Sequence, residues 1–343
     1  MGNSESKKAT QQSQVRLKSV EIHVSSRKSD ESLYIKESYT KTYYLYDNCH
    51  FIAIYDGYGY YGGAAAYDAS EALMAYFEEN YEMVKLLTNG KEIKSFISEG
   101  IKKVQEKLSK ETMYYKSGTC CIGALILKNK IFIFNIGNSR AALCTEVVIS
   151  GFKAFELSHD HDLNNVDERT RILNKGLKIH KAIENGKEYG PERIWIDDEG
   201  PGITTTRMLG NCQTSHAIIP EPEIEEYDLS YRDSFLILGS DGLWNVMGTE
   251  EAVSMIYGKN RERETVENLV KEAKKRWRDK IKTEKLIVGD DPSGIQKTDD
   301  ITAIVCYFNF PTTAEMEILE RFDFLYENNQ SRLKSLKESL AEK

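Results

Sequence analysis

Three apolar runs in this chain end or begin on aspartate: FIAIY (51–55) runs into Asp56, FLILGS (235–240) runs into Asp241, and ITAIVCYF (301–308) follows Asp299 and Asp300. Runs this short and this apolar, bounded by Gly and Asp, read as buried strands. A carboxylate at the end of a buried strand is costly unless its charge is neutralised, and a divalent cation is the usual solution. Hard oxygen donors from several strand ends suit magnesium or manganese rather than zinc. Asp-Gly recurs at Asp56-Gly57 and Asp241-Gly242, where the missing side chain lets backbone and ion approach closely. Any one of these pairs alone is only a turn. The set of three carries the argument.

The overall charge narrows the field further. The 343 residues hold 46 Lys and Arg against 54 Asp and Glu, a net charge of −8, which argues against a nucleic-acid partner. With 40% hydrophobic and 29% charged residues, the chain is too apolar to be disordered. No apolar run reaches the roughly 18–20 residues that span a bilayer, and no signal-peptide pattern opens the sequence. Cys49, Cys120, Cys121, Cys144, Cys212 and Cys306 lack zinc-type spacing and read as reduced core residues of a cytoplasmic protein. The start, MGNSESKK, fits the pattern for myristoylation at Gly2, with Lys7 and Lys8 adding a weak contact to anionic lipid; the alternative is a plain polar tail. Localisation is therefore expected in the cytoplasm or on the cytoplasmic face of a membrane.

Along the chain we expect a disordered tail over 1–17, one domain over 18–310 and a C-terminal amphipathic helix over 311–343. Strands are expected over 20–24, 51–55, 119–127, 131–136, 141–144, 234–238 and 301–307, with a turn at Lys128-Asn129-Lys130. Helices are expected over 64–81, 92–110, 167–174, 250–257 and 264–282. Strands in runs, with paired helices between them, point to an α+β domain. The basic stretch 271–285 reads as a solvated helix face or a contact for acidic lipid or a phosphorylated partner. The stripe Ile318, Phe322, Leu325, Leu333, Leu336, Leu340 reads as a helix packed on the same domain or used for partner binding, and oligomeric state stays open.

The segments 51–63 (FIAIYDGYGYYGG), 117–144 (SGTCCIGALILKNKIFIFNIGNSRAALC), 156–172 (ELSHDHDLNNVDERTRI), 193–224, 235–253 (FLILGSDGLWNVMGTEEAV) and 298–308 (TDDITAIVCYF) follow one another in an order that resembles the metal-dependent type 2C Ser/Thr protein phosphatase family. The resemblance covers about residues 18 to 310. It implies a central sandwich of two antiparallel β-sheets flanked by helix pairs, with a two-metal cleft at one end and phosphoproteins as substrates. It implies further that Arg27 grips the substrate phosphate and that Glu31 ligates one of two Mg2+ or Mn2+ ions. Asp56 would bridge both ions, the Gly57 carbonyl would complete one, and Asp241 and Asp299 would hold the other.

Several positions depart from the family pattern. Tyr58 stands where a histidine would protonate the leaving oxygen, and a phenol with a pKa near 10 is a poor acid at neutral pH. Ser32, Asn138, Asn211 and Asn245 stand where the family places acids, and Asp300 stands for Asn. Asn138 and Asn245 remove charge that an additional cation requires, so the third metal site is expected to be lost. Two outcomes follow: a phosphatase with weakened turnover, using water or Tyr58 as acid, or a pseudophosphatase that binds without turnover.

Overall fold

The computed structural model describes residues 16–28, 38–46, 49–87, 89–148, 151–184, 187–196, 202–284, 299–312 and 315. Two antiparallel sheets face each other. One takes β1 (Ser19–Arg27), β13 (Ile301–Asn309), β12 (Asp233–Gly239), β6 (Arg140–Val147) and β7 (Gly151–Glu156), in that spatial order. The other takes β11 (Glu223–Asp228), β5 (Lys130–Ile136), β4 (Gly118–Leu127), β3 (Cys49–Tyr58) and β2 (Ser38–Tyr46), with the short β10 (Leu209–Gly210) beside β4. The expected α+β sandwich is the observed fold.

Both faces of the central strands are covered, which is why they read as unbroken apolar runs rather than as alternating ones. On β3, Phe51, Ala53 and Tyr55 face α1 (Gly62–Glu79) and α3 (Gly90–Leu108), packing with Leu73, Phe77, Ile97 and Ile101. Ile52 and Ile54 point the other way, into a layer shared with Leu236, Leu238, Ile304 and Cys306 of the opposite sheet. On that sheet Phe235, Ile237, Ala303 and Val305 face α6 (Thr249–Ile256) and α7 (Arg263–Glu284), where Val253, Leu269 and Trp277 receive them. The result is a helix–sheet–sheet–helix stack. Strand period two then puts Asp56 on the same face as Ile52 and Ile54, at one end of the layer between the sheets.

Element by element, most expected spans are observed within two residues at each end, but three corrections matter. The helix expected over 64–81 stops at Glu79 and restarts as α2 (Tyr81–Leu86), because the Asn80 amide donates to the Tyr76 carbonyl (2.8 Å) and takes a non-helical ψ of 15°. Strands β2, β7 and β11 were not expected. They are sheet edges with polar residues interspersed, so their hydrophobic signal is weak. Between α4 (Val166–Asn174) and β10, a hairpin of β8 (Lys178–Glu184) and β9 (Lys187–Trp195) stands where no strand was expected. Trp195 stacks on His180 at 4.7 Å and donates to its carbonyl, and Arg193 donates to the Gly202 carbonyl at 2.8 Å. Both side chains serve the hairpin's own packing.

All six cysteines are free, five of them buried. The C-terminal stripe, Gly2 and the metal candidate Glu31 lie outside the described residues, as does Ser32. No described helix is long and apolar enough to cross a membrane. Leu238 is fully buried between the sheets, so Leu238→Ala should cost about 2–5 kcal/mol. Urea unfolding of the two proteins measures this, and a cost below about 1 kcal/mol would contradict a close-packed layer between the sheets.

Candidate metal centre

The antiparallel register brings three strand ends to one pole. Gly239 lies opposite Ala303, so Asp241 after β12 adjoins Asp299 and Asp300 before β13. Arg27, at the end of β1, lies opposite Ile301 and is half-buried. From the facing sheet, Asp56 lies opposite Cys120 and Gly57 opposite Thr119. The carboxyls of Asp56 and Asp299 both approach that of Asp241 closely enough to act on its charge. Burial pushes the Asp241 carboxyl up from its ordinary range, against the opposing effects of Asp56, Asn138 and Asp299.

The turn that carries Asp241 is shaped closely. A Cβ on Gly242 would lie 2.2 Å from the Asp300 carbonyl oxygen, so only glycine lets the two ends meet. Two buried indoles hold the turn from the helix side: Trp244 Nε1 donates to Gly239 O at 2.9 Å, and Trp277 Nε1 to Gly242 O at 2.6 Å. On the other sheet, a Cβ on Gly62 would lie 2.7 Å from the Gly57 carbonyl carbon. The N-terminus of α1 therefore rests against Gly57 and brings the positive end of the helix dipole there, which favours anions.

Asn138 joins the two halves. It sits in the crossover from β5 to β6, between the sheets, and its Nδ2 donates to Asp241 Oδ2 at 2.9 Å. Its Oδ1 accepts from Cys120 Sγ at 3.4 Å, which settles the orientation of the amide. The neighbouring Gly137 has φ +119°, and a Cβ there would lie 2.3 Å from Cys120 Sγ. Burial, then the Asp56 charge, pushes the Cys120 thiol up to about 12, so it acts as a neutral donor. Of the other departures, Asn245 is an exposed C-cap. Asn211 is buried in the left-handed region at φ 44°, with its Nδ2 on Met208 Sδ at 3.4 Å.

Tyr58 packs against the cluster of Leu163, Ile172, Ile194, Ile203 and Met208 under the β8–β9 hairpin. The crossover is supported by His161, which is fully buried. The Gly137 N–H donates to its Nδ1 at 3.1 Å, so its Nε2 carries the proton and donates to Glu223 Oε2 at 3.2 Å. His159 makes a second contact to Glu223 at 2.6 Å. The His161 hydrogen bond, against the opposing effect of burial and with help from His159, holds Glu223 at about 2. Nearby, burial works against the Glu168 charge, but Arg207, Thr206 and Arg171 outweigh it and hold that carboxyl at about 2.

The site thus gathers Arg27, Asp56, Gly57, Asp241 and Asp299 at one pole, and adds Cys120, His161, Glu223, Trp244 and Trp277, which sequence reasoning had not assigned. All of these additions but Trp277 fall within the family-like segments, where none was given a role in the site. Among the described residues, no group of three His, Cys, Asp or Glu side chains is spaced as a finished metal cage. The donor chemistry nevertheless fits a hard cation. Half-buried carboxyl groups gathered this closely need a shared proton or a cation to offset their mutual repulsion.

A family model described as Protein phosphatase 2C matches residues 16–281. The chain belongs to the protein phosphatase 2C family. "Probable protein phosphatase 2C 12" from Oryza sativa subsp. japonica is 32% identical over 181 residues, 52% of this chain and 45% of that protein. "Probable protein phosphatase 2C 34" from Arabidopsis thaliana is 26% identical over 273 residues, 76% of this chain and 72% of that protein. The chain spans less than half the length of the first rice relative and more of the Arabidopsis one. In fold it resembles the serine-threonine phosphatase 2C from Toxoplasma gondii, with a TM-score of 0.63 and 17% identity over 86% of this chain and 98% of that one. A C. elegans sex determining protein matches with a TM-score of 0.64 and 15% identity over 84% of this chain and 64% of that one.

The Glu223 clamp makes a pH prediction. Because the folded-state pKa lies below the ordinary value of 4.5, the clamp's contribution is complete above about pH 4.5 and is lost as pH falls toward 2. Glu223→Gln should remove that part of the acid sensitivity. Urea midpoints at pH 6, 4 and 3 should converge between wild type and variant as pH falls, and parallel curves would contradict the clamp.

Proposed function

We propose that this type 2C family member hydrolyses phosphoserine and phosphothreonine on proteins, with weakened turnover. The meeting of Asp56 and Asp299 on Asp241, beside Arg27, is the observation that carries the reading. Asp56, the Gly57 carbonyl, Asp241 and Asp299 would hold two Mg2+ or Mn2+ ions, with Glu31 joining from outside the described residues. When bound, such ions lower the pKa of water and offset charge on the phosphoryl oxygens. Arg27 binds and orients the phosphate, a task suited to its fixed fork of donors.

Two features support weakened turnover. Tyr58 is engaged with the hairpin cluster, and a phenol is a poor acid at neutral pH, so transfer of a proton to the leaving oxygen falls to water or to a slow donor. General acid catalysis is typically worth about 10²–10⁴-fold. Asn138, in addition, meets Asp241 with an amide donor where the family carries an acid, so the third metal site is lost in this reading. The same hydrogen bond favours a second reading, a pseudophosphatase that captures a partner without hydrolysis. Turnover of a phosphothreonine peptide with Mn2+ decides between them. The enzyme reading expects slow, metal-dependent release of phosphate that Asp241→Ala abolishes; no turnover, with peptide capture surviving Asp241→Ala, would overturn it.

Lipidation at Gly2 is a further part of this proposal. The described chain starts beside the end of β13: Lys18 N–H donates to Asn309 O at 2.8 Å, and Lys18 Nζ pairs with Glu315 at 2.8 Å. This is the pole opposite the carboxylates. A chain held at a membrane through Gly2 would make a weak peripheral contact. Co-expression with a myristoyltransferase should give vesicle binding that Gly2→Ala abolishes, and equal sedimentation of both proteins would remove the anchor from the reading.

A further inference from the structure

Beside the metal loop the surface is unusually aromatic. Tyr60 is 73% exposed, Tyr115 54%, Tyr67 49% and Tyr61 42%, with Met113 at 39%. Two loops bring Tyr60, Tyr61, Met113 and Tyr115 together, and Tyr67 stands on α1 next to Asp68. Gly59, at φ +82°, passes so close to the second loop that a Cβ would lie 2.8 Å from Lys116 O and 2.9 Å from Ser117 Oγ. The Tyr61 N–H donates to Ser117 Oγ at 3.1 Å. Segment 58–61, which follows Asp56 and Gly57 directly, is thereby fastened to segment 112–117, which leads into β4.

The rim is rigid from beneath. Tyr114 is buried, and its hydroxyl donates to Asp68 Oδ2 at 2.6 Å, tying the second loop to α1. The Gln213 N–H donates to Tyr115 O at 3.0 Å, fixing the far side. The Tyr60 and Tyr61 rings meet edge to face at 4.8 Å, and Tyr67, in the second turn of α1, meets Tyr39 in the same way at 5.5 Å. Folding does not require this exposure: the aromatic residues that build the core beside α1 are Phe51, Tyr76, Phe77 and Phe96. Single exposed apolar residues are ordinary, but a group of fastened tyrosines at one rim has the character of a binding surface, because tyrosine gives large contact area for little lost entropy.

We propose that this tyrosine rim docks the peptide flanking the phosphorylated residue and selects substrates with an aromatic or large apolar side chain close to it. The inference rests on the phosphatase reading for its occupant. Continuity with the cleft argues for a substrate segment. Tyr60 is three residues beyond Gly57, a span of at most about 10 Å. A peptide with its phosphate at Arg27 and the carboxylates reaches the rim within a few residues.

The test uses two fluorescent peptides carrying a non-hydrolysable phosphonate analogue of phosphothreonine, one flanked by Phe and Leu and the other by Gly and Ser. Anisotropy with full-length protein and Mn2+ should show the apolar-flanked peptide binding about 10-fold tighter. That preference should vanish in Tyr60→Ala/Tyr115→Ala and survive in Tyr60→Phe/Tyr115→Phe, which keeps the ring faces. Equal binding of the two peptides by wild type, or a preference unchanged in the alanine variant, would overturn the proposal. Turnover of p-nitrophenyl phosphate with Mn2+, measured in parallel, reports on the phosphatase reading separately. A flank preference without turnover would discard the enzyme and keep the rim.

Discussion

The hydrogen bond from Asn138 to Asp241 joins the two sheets where the half-buried carboxylates of Asp56, Asp241 and Asp299 meet. Asn138 belongs to the crossover between the sheets and Asp241 to the turn after β12, so the bond spans the layer that the apolar strands build. An amide donor offers Asp241 a positive edge without adding net charge. It also occupies a carboxylate oxygen that an acid at the same position would leave to a cation. Asn138 thus sets an amide, rather than a further acid, against Asp241 at the crossover.

Much of the surrounding structure serves to hold that contact. Cys120 orients the amide from one side, and Gly137 leaves room for its sulfur. His161 receives the Gly137 N–H and passes the load to Glu223 on an edge strand, so the crossover is anchored in a charged clamp. Trp244 and Trp277 bracket Asp241 by holding the carbonyls of Gly239 and Gly242. Buried donors paired to buried carbonyls rigidify a site because breaking any one strands a polar group in the interior. The cleft depends on helix packing on one side and on a histidine pair on the other.

The site's two rims differ in kind. Toward the β8–β9 hairpin, Tyr58 is drawn into a small apolar cluster, which ties the end of β3 to the hairpin. Toward α1, Tyr60 and Tyr61 face solvent. Three neighbouring tyrosines in one short loop thus take opposite roles.

The sequence alone determined the buried strands and the acids at their ends, because a strand covered on both faces must be apolar throughout and an aspartate at its tip stands out. Asp56, Asp241 and Asp299 were legible for that reason, and Gly57 and Gly242 beside them. Edge strands such as β7 and β11 were not, since their side chains are only partly buried and their pattern fades. Nor could local sequence show that Cys120 and Trp277 serve the site. Each looks like an ordinary core residue, and only the antiparallel register and the packing of α7 bring a thiol to Asn138 and an indole to Gly242. Tertiary structure decided those roles because a hydrogen bond between residues far apart in the chain leaves no periodicity along it.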